Sequence, residues 1–274
     1  MPRPMDRIRT VALASFVLAA LAACGSLDNA RGSDSLFAIF AGPSTGDAVE
    51  MALDEYDADN RYRGVTMISA AQFGAADSAI ALYRDSLDDP DDAVRQASVR
   101  ALGLHGDPED IPALLGLFDS ENRLVRAEVA TALQRLHNPA AIPALIERTD
   151  PEIETDPQVR AQSARALGQY PERRVLQALI SAVDDQSLTV NAAALEALAT
   201  LTGQRLGLDP GAWLAWLAET DRPFAAQGVY LTRGFRRPRH PVEWLPFVPA
   251  PPTESPAPPV GMVREPDLDG GSGS

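Results

Sequence analysis

The middle of the chain repeats one pattern at an interval of roughly 30 residues, and this periodicity constrains the fold more than any other feature,. The pattern starts at a valine followed by arginine or asparagine, and the interval is slightly longer between the second and third copies. The four valines are Val94, Val125, Val159 and Val190. Four, seven and eight positions after each valine lie small or aliphatic side chains, such as Ser98, Ala101 and Leu102. This spacing forms one apolar stripe along a helix, so the sequence predicts an array of similar helical units.

A residue suited to cap a helix precedes each copy of the pattern by three positions. Counting a weaker fifth copy that begins at Tyr62, the cap residues are Asp59, Asp91, Asn122, Asp156 and Ser187. Side chains of these types accept a hydrogen bond from a free backbone N–H of the first turn. Pro157 follows its cap, which is typical of the first position of a helix. We therefore expect five helices that begin near residues 59, 91, 122, 156 and 187.

A second helix is predicted in each unit, because leucines recur at intervals that track the first series. They are Leu82, Leu114, Leu145 and Leu179. Two of these helices start in proline-containing segments, "GDPEDIPALL" and "HNPAAIPALI". A helix interior does not tolerate proline cheaply, so the prolines must lie near the first turns. The sequence leaves open which proline of each segment marks the start.

Paired helices with an alanine-rich stripe resemble HEAT-like repeats of the type also found in phycobilin lyases. The residues that carry the resemblance are "DDAVRQASVRALG", "ENRLVRAEVATAL" and "DPQVRAQSARALG", and the resemblance covers about residues 47–218. It implies an all-α fold, a right-handed α-solenoid of about five helix pairs. It does not imply one function, because HEAT-like repeats occur in scaffolds, transport receptors, a DNA glycosylase family and phycobilin lyases.

The same resemblance implies a ladder of acidic and arginine side chains that ties neighbouring repeats together. The candidates are aligned in the repeat: Asp88, Asp119, Asp150 and Asp184 at one position, and Arg95, Arg126 and Arg160 at another. Carboxylates and guanidinium groups suit this role because they form forked hydrogen bonds. A cation site on the aligned acids is the alternative, but the even spacing of the arginines along the array favours the ladder.

The ends of the predicted array differ from its middle. A starting helix capped by Ser44 or Thr45 opens the solenoid, which we assign to residues 44–218. Trp213 and Trp216 share one face of a last helix, where they form either a bulky cap or an aromatic platform for a sugar. Residues 219–245 are expected to be a packing segment, and residues 246–274 a disordered Pro/Gly-rich tail that acts as a spacer or as a ligand for an aromatic groove.

The N-terminal residues 1–23 resemble a bacterial lipoprotein signal peptide. A basic start precedes a short apolar run, which is too short to span a bilayer, and then Leu21, two alanines and Cys24,. The resemblance implies cleavage before Cys24, which is the only cysteine, and lipidation of its thiol. The alternative is an ordinary secretory signal in which the cysteine stands by chance. Residues 24–43 would tether the domain to the membrane. Gly25 after the cysteine favours the periplasmic face of the outer membrane over retention at the inner membrane.

Composition argues against several kinds of chemistry. The chain contains no lysine, which excludes a P-loop lysine and a Schiff-base lysine,. Its formal net charge of −14 disfavours nucleic acid as a partner,. His105, His137 and His240 lack metal-ligand spacing, and no nucleophile motif accompanies the serines,. The sequence therefore predicts a protein that is not an enzyme and that needs no cofactor or metal.

We expect a lipid-anchored envelope scaffold that binds protein partners along the groove of the solenoid. The second helices line that groove in the HEAT-like fold, and their candidate partner-binding residues are Asp110, Glu147, Arg174 and Gln177,. Such a polar groove suits an extended or basic partner. One alternative is a module that binds cell wall or anionic lipid through the tryptophans or through Arg233, Arg236, Arg237 and Arg239. Another is a lyase-like enzyme subunit.

Overall fold

A computed structural model describes residues 44–235, 237, 238, 240, 244 and 253–262. Eleven α-helices and no β-strand form in this part of the chain. The predicted signal peptide, the lipidation site Cys24 and the predicted tether lie outside the described residues, as do Arg236 and Arg239.

The predicted five helix pairs are present, preceded by one starting helix, α1 (Thr45–Ala52). Ser44 caps α1, and Asp47 completes a reciprocal capping box. The first helices of the pairs are α2 (Ala58–Ala70), α4 (Asp92–His105), α6 (Arg123–Ala132), α8 (Pro157–Leu167) and α10 (Leu188–Thr202). The second helices are α3 (Asp77–Asp85), α5 (Ile111–Gly116), α7 (Ile142–Glu147), α9 (Arg173–Ala182) and α11 (Pro210–Glu219).

Two prolines begin each of the second helices α5 and α7, and both are accommodated without a kink. A short 3-10 turn, Pro108–Asp110 or Pro139–Ala141, comes first. The α-helix then starts at Ile111 or Ile142, with the second proline in its first turn. Neither proline removes a hydrogen bond that an interior residue would have made.

The first helices stack in chain order and carry the core. Each contacts the first helix of the next pair, from α2 to α10, and α1 covers the open end of α2. The predicted stripe is fully buried in four repeats, as at Ala101 and Leu102 in α4 and at Ala166 and Leu167 in α8. Small side chains in this stripe allow adjacent backbones to approach closely, and the buried residues form one continuous apolar cluster,.

The cap of the first repeat differs from the prediction. Asp57, not Asp59, caps α2, because the Asp57 Oδ1 accepts hydrogen bonds from the backbone N–H groups of Asp59 and Asn60. The predicted position of this weak copy is two residues too late, since the repeat's arginine position is held by Arg61 and not by Arg63, the residue after Tyr62. Asp91, Asn122 and Asp156 cap their helices as predicted. Ser187 occupies the cap position of α10 without a side-chain cap bond.

Three largely buried ion pairs join consecutive repeats. In each, an arginine in the first turn of one first helix donates two hydrogen bonds to a carboxylate in the loop before the next first helix. The Nε–carboxylate distance is 2.7 Å for Arg61–Asp89, 2.7 Å for Arg126–Glu154 and 2.8 Å for Arg160–Asp185.

Each carboxylate of this ladder also holds the next helix cap. The Glu154 Oε1 accepts the backbone N–H of the cap residue Asp156 at 2.9 Å. The remaining Nη1 of Arg126 donates to the carbonyl of Ser120 in its own repeat at 2.8 Å. We call each of these ion pairs a rung of the ladder. In the Arg126–Glu154 rung, the two side chains bond each other, and each also bonds the backbone, so both charges are satisfied although the pair is buried,.

The acids of the ladder differ from those predicted. Asp88, Asp150 and Asp184 are exposed at the ends of the second helices, and Asp119 pairs with Arg148 at 2.9 Å. The rung requires a carboxylate two residues before the cap, where the cap N–H reaches it, and Asp89, Glu154 and Asp185 stand there. Of the predicted arginines, Arg126 and Arg160 form rungs.

One rung of the ladder is absent between the second and third repeats. Arg95 stands in the arginine position, but Ser120 replaces the acid two residues before the next cap. Arg95 instead pairs with Asp92 of its own helix and donates to the Asp89 carbonyl. Further along the same helix, the exposed Arg100 reaches Glu128 of the third repeat at 2.7 Å.

Folding lowers the pKa of all three ladder carboxyls. Burial acts to raise the pKa of Glu154, but hydrogen bonds from Arg126 and from the Asp156 N–H outweigh it, so this pKa lies below its usual value. The same balance lowers the pKa of Asp89 and of Asp185. These groups remain ionised in the folded protein under mildly acidic conditions.

The first prediction concerns the Arg126 rung. Arg126→Ala leaves the carboxylate of Glu154, whose side chain is 1% exposed, without its partner. We expect the free energy of unfolding to fall by about 3 kcal/mol, measured by urea denaturation. The matched control is Arg123→Ala, because Arg123 pairs with Asp156 at 3.4 Å from a 62% exposed side chain. Its effect should be about 0.5 kcal/mol or less, and equal effects of the two substitutions would contradict the ladder.

The second prediction concerns pH. A carboxyl whose pKa is lowered by folding stabilises the protein above its unfolded pKa and loses this effect as the pH falls through its folded pKa. Glu154→Gln should therefore destabilise at pH 7, and its deficit relative to wild type should shrink from about pH 5 downward. Glu121→Gln, at an exposed acid in the loop before α6, is the control. A deficit that is constant between pH 7 and pH 3 would refute the assignment.

Candidate functional site

The candidate binding surface consists of the outward positions of the second helices, with Glu147 and Gln177 near its centre. We call it the second-helix face. Glu147 in α7 and Gln177 in α9 are exposed there, as predicted. Arg174 is also exposed and pairs with Glu172 at 2.6 Å. These residues come to lie on one surface because α7 and α9 belong to consecutive repeats and contact each other.

Asp110 does not belong to this face, although the sequence predicted it there. Its side chain is 4% exposed, and its Oδ1 accepts a hydrogen bond from the Nε of Arg84 at 2.5 Å. The other oxygen accepts the backbone N–H of Asp107 at 2.9 Å, which closes a capping box. Asp110 therefore links α3 to the start of the next second helix. The sequence could not reveal this role, since Arg84 lies in the preceding repeat.

A groove of about 310 Å³ lies between α7 and α9, beside Glu147 and Gln177. Its apolar wall includes Ile146, Ala178 and Ala182, and Asp150 and Asp184 lie on its rim. Both acids are exposed. The residues predicted as ladder acids therefore supply negative charge to a groove with an aliphatic wall. Such a groove can accept the alkyl stem of a lysine or arginine side chain and can pair with its charge.

The tryptophans form a cap rather than a sugar platform. Trp213 is fully buried, and its indole Nε1–H donates to the Gly207 carbonyl at 2.9 Å. Trp216 packs edge-on against it, with 6.2 Å between ring centroids. A buried ring offers no face to a glycan, so the platform interpretation of this pair is wrong. The helix α11 that carries both rings is the second helix of the fifth pair and packs against α9 at the end of the array.

The arginine cluster near the C-terminus folds back onto the solenoid at Arg233. The Arg233 guanidinium pairs with Glu196 of α10, and both groups line a cavity of about 230 Å³ with Arg165 and Tyr230. Burial lowers the pKa of Arg165, and the neighbouring Arg233 lowers it further. Arg233 thus neutralises an acid of the solenoid. The anionic-surface role predicted for Arg233, Arg236, Arg237 and Arg239 stays a prediction for the other members.

Two histidines and a buried tyrosine contact neighbouring groups within the fold. The ring of His105 contacts the Ser69 carbonyl at 2.8 Å, and His137 bonds Gln169 and stacks on Tyr170. Burial raises the pKa of Tyr170 to about 12, and its O–H donates to the Asn138 carbonyl. Among the described residues, no three His, Cys, Asp or Glu side chains are grouped to hold a metal ion. No described helix combines the length and apolar character needed to cross a bilayer.

The sequence matches the family model of HEAT repeats in three overlapping regions, residues 46–125, 80–155 and 152–212. Together these regions span the helix pairs from the starting helix to the beginning of α11. No curated protein sequence matches the chain.

Solved structures of repeat proteins are similar to the chain. A designed armadillo repeat protein, YIII(Dq)4CqI, is 16% identical, with a TM-score of 0.46, and the match covers 64% of this chain and 87% of that one. YibA of Escherichia coli is 18% identical, with a TM-score of 0.46, and the match covers 65% of this chain and 64% of YibA. The CpcE–CpcF complex of phycocyanin lyase from Nostoc sp. PCC7120 is 17% identical, with a TM-score of 0.39, over 62% and 79%.

The third prediction tests the role of Trp213. Trp213→Ala should lower the free energy of unfolding by about 3 kcal/mol or more, because it removes a fully buried ring and an indole hydrogen bond,. Leu214→Ala, at a 53% exposed neighbour in the same helix, is the control and should change stability by about 0.5 kcal/mol or less,. Thermal denaturation followed by circular dichroism measures both. Equal stability of the two variants would contradict a cap.

Proposed function

Because the chain belongs to the HEAT-repeat family, whose fold is typical of protein-interaction scaffolds, we propose that it is a non-catalytic, lipid-anchored scaffold of the bacterial cell envelope. The second-helix face is its partner-binding surface. Cleavage before Cys24 and acylation of this residue would anchor the chain, and Gly25 favours the periplasmic face of the outer membrane. Several acyl chains bind a bilayer far more firmly than one, at about 0.8 kcal/mol per buried CH₂.

The groove between α7 and α9 is the observation that carries the binding function. It combines an aliphatic wall at Ile146 and Ala178 with the exposed carboxylates of Asp150 and Asp184. An apolar wall gives contact area, and an acidic rim selects the sign of the partner's charge. The partner that fits is a protein segment with lysine or arginine side chains. The formal net charge of −14 should increase the association rate of such a basic segment,.

The fourth prediction is an in-cell crosslink. A photoreactive residue in place of Gln177, which is exposed beside the groove, should give one dominant protein adduct, identified by mass spectrometry. Reversal of the groove charges by Asp150→Arg with Asp184→Arg should abolish the adduct. The matched control, Glu50→Arg with Glu55→Arg, reverses two exposed acids at the far end of the solenoid and should leave the adduct unchanged.

Two results would contradict the proposed function. One is the absence of any protein adduct from Gln177 while crosslinks to glycan or lipid form from Trp216. The other is the same set of adducts from Gln177 and from Arg63, an exposed residue on α2 outside the second-helix face. The first result would favour an envelope-binding module, and the second would indicate unselective contact.

The anchor has its own test, the fifth prediction. Cys24→Ser removes the thiol that would carry the lipid, so the chain should move from the membrane fraction to the soluble periplasmic fraction. The wild-type chain should show the mass of the acylated form and the variant should not. Retention of the variant in the membrane fraction would contradict anchoring through Cys24. The control is Ser26→Ala, two residues further along.

A further inference from the structure

Part of the C-terminal region expected to be disordered is docked on the solenoid. The docked part, Thr253–Met262, is called the tail segment here. Its Val260 N–H donates to the Arg135 carbonyl at 2.7 Å, and the His137 N–H donates to the Val260 carbonyl at 2.8 Å. This pairing forms a parallel β-bridge between Val260 and Leu136, in the loop that follows α6. The expectation of a disordered tail for residues 246–274 is therefore wrong for these residues.

An ion pair fixes the other end of the tail segment. Both carboxylate oxygens of Glu254 accept hydrogen bonds from the Nη2 of Arg135 at 2.7 Å, and the Nε donates to Oε1 at 3.0 Å. The side chains of Arg135 and Glu254 are 20% and 35% exposed. One arginine thus contacts the tail segment twice, through its guanidinium at Glu254 and through its carbonyl at Val260.

Residues Thr232–Phe235, which precede the tail segment in the chain, also contact it. Phe235 and Glu254 exchange two backbone hydrogen bonds of 2.8 Å. The Thr232 N–H donates to the Ala257 carbonyl at 2.8 Å. A Cβ on Gly234 would come within 2.7 Å of the Glu254 carbonyl oxygen, so glycine allows this close approach. The tail segment therefore lies between Thr232–Phe235 and the loop after α6.

The apolar end of the tail segment is fitted closely to the solenoid. Pro259 is buried, and Gly261 adopts a positive φ of 88°. A Cβ at Gly261 would lie 2.4 Å from the Cγ of Pro108 and 3.0 Å from the His137 carbonyl oxygen. The docking strip, which we define as Pro108, Arg135, Leu136, His137 and Thr232–Phe235, thus accepts an extended backbone with a buried proline and no side chain after the valine.

We propose that the docking strip is a peptide-binding site that the tail segment occupies in cis, and that the partner is an extended, proline-containing segment with a carboxylate six residues before valine. Recognition uses backbone hydrogen bonds, one bidentate carboxylate and a polyproline-like conformation that costs little entropy to order. The side chains of the Arg135–Glu254 ion pair are partly exposed, so we expect docking to be reversible. The strip uses different residues from the second-helix face, and this inference does not depend on the proposed function.

The experiment uses a fluorescent peptide of residues 252–262 and the full-length chain. Glu254→Arg places two like charges at Arg135 and should release the tail segment. The peptide should then bind this variant at least about tenfold more tightly than wild type, in which the tethered tail competes at an effective concentration of about millimolar. Fluorescence anisotropy measures both affinities. Ser255→Ala, at an exposed tail residue, is the matched control and should behave as wild type.

Charge reversal tests whether Arg135 reads the carboxylate. The full-length Arg135→Glu chain should fail to bind the natural peptide and should bind a peptide that has arginine in place of the glutamate. Circular dichroism verifies that both chain variants keep their helices. The proposal is overturned if the Glu254→Arg chain does not bind the natural peptide at about 1 mM, or if the Arg135→Glu chain binds both peptides equally. Crosslinking from Gln177 is expected to be the same in the Glu254→Arg chain, in the Arg135→Glu chain and in wild type.

Discussion

The geometry of this solenoid depends on a buried guanidinium–carboxylate pair that recurs between repeats. In each rung the carboxylate binds the arginine of one first helix and the backbone N–H that opens the next, as Glu154 does with Arg126 and Asp156. One charged group therefore fixes both the distance between neighbouring helices and the point where the next helix begins. Because each second helix follows its first through a short connection, the rungs also set the spacing of α7 and α9, and with it the groove between them.

The sequence predicts what is local and periodic. Caps, the apolar stripe and the helix pairs repeat at an interval of roughly 30 residues, so four clear copies of the sequence pattern are enough to predict the fold,. The choice between Asp88 and Asp89, by contrast, requires knowing which carboxylate reaches a backbone N–H. Asp110 meets Arg84 across 26 residues, and Glu254 meets Arg135 across 119. No periodicity encodes such single long-range pairs, so the buried Asp110 and the docked tail emerge only in three dimensions.

The two long surfaces of the molecule differ in what they offer. The second-helix face presents exposed side chains and a groove with an acidic rim. The docking strip presents backbone groups and the guanidinium of Arg135, and it holds the chain's own tail segment. Side-chain charge allows discrimination among partners. Backbone hydrogen bonds suit an extended peptide whose sequence is less strictly defined. Under the two proposals, the second-helix face would hold one protein while a second segment exchanges with the tail at the docking strip.

The account rests on the claim that the rungs couple consecutive repeats, and a double-mutant cycle on Arg126 and Glu154 tests it most directly. The free energy of unfolding is measured for wild type, for Arg126→Ala, for Glu154→Ala and for the double variant. The account predicts a coupling energy of about 2 kcal/mol or more, with the double variant more stable than the sum of the single effects implies. A coupling energy within about 0.5 kcal/mol of zero would contradict it.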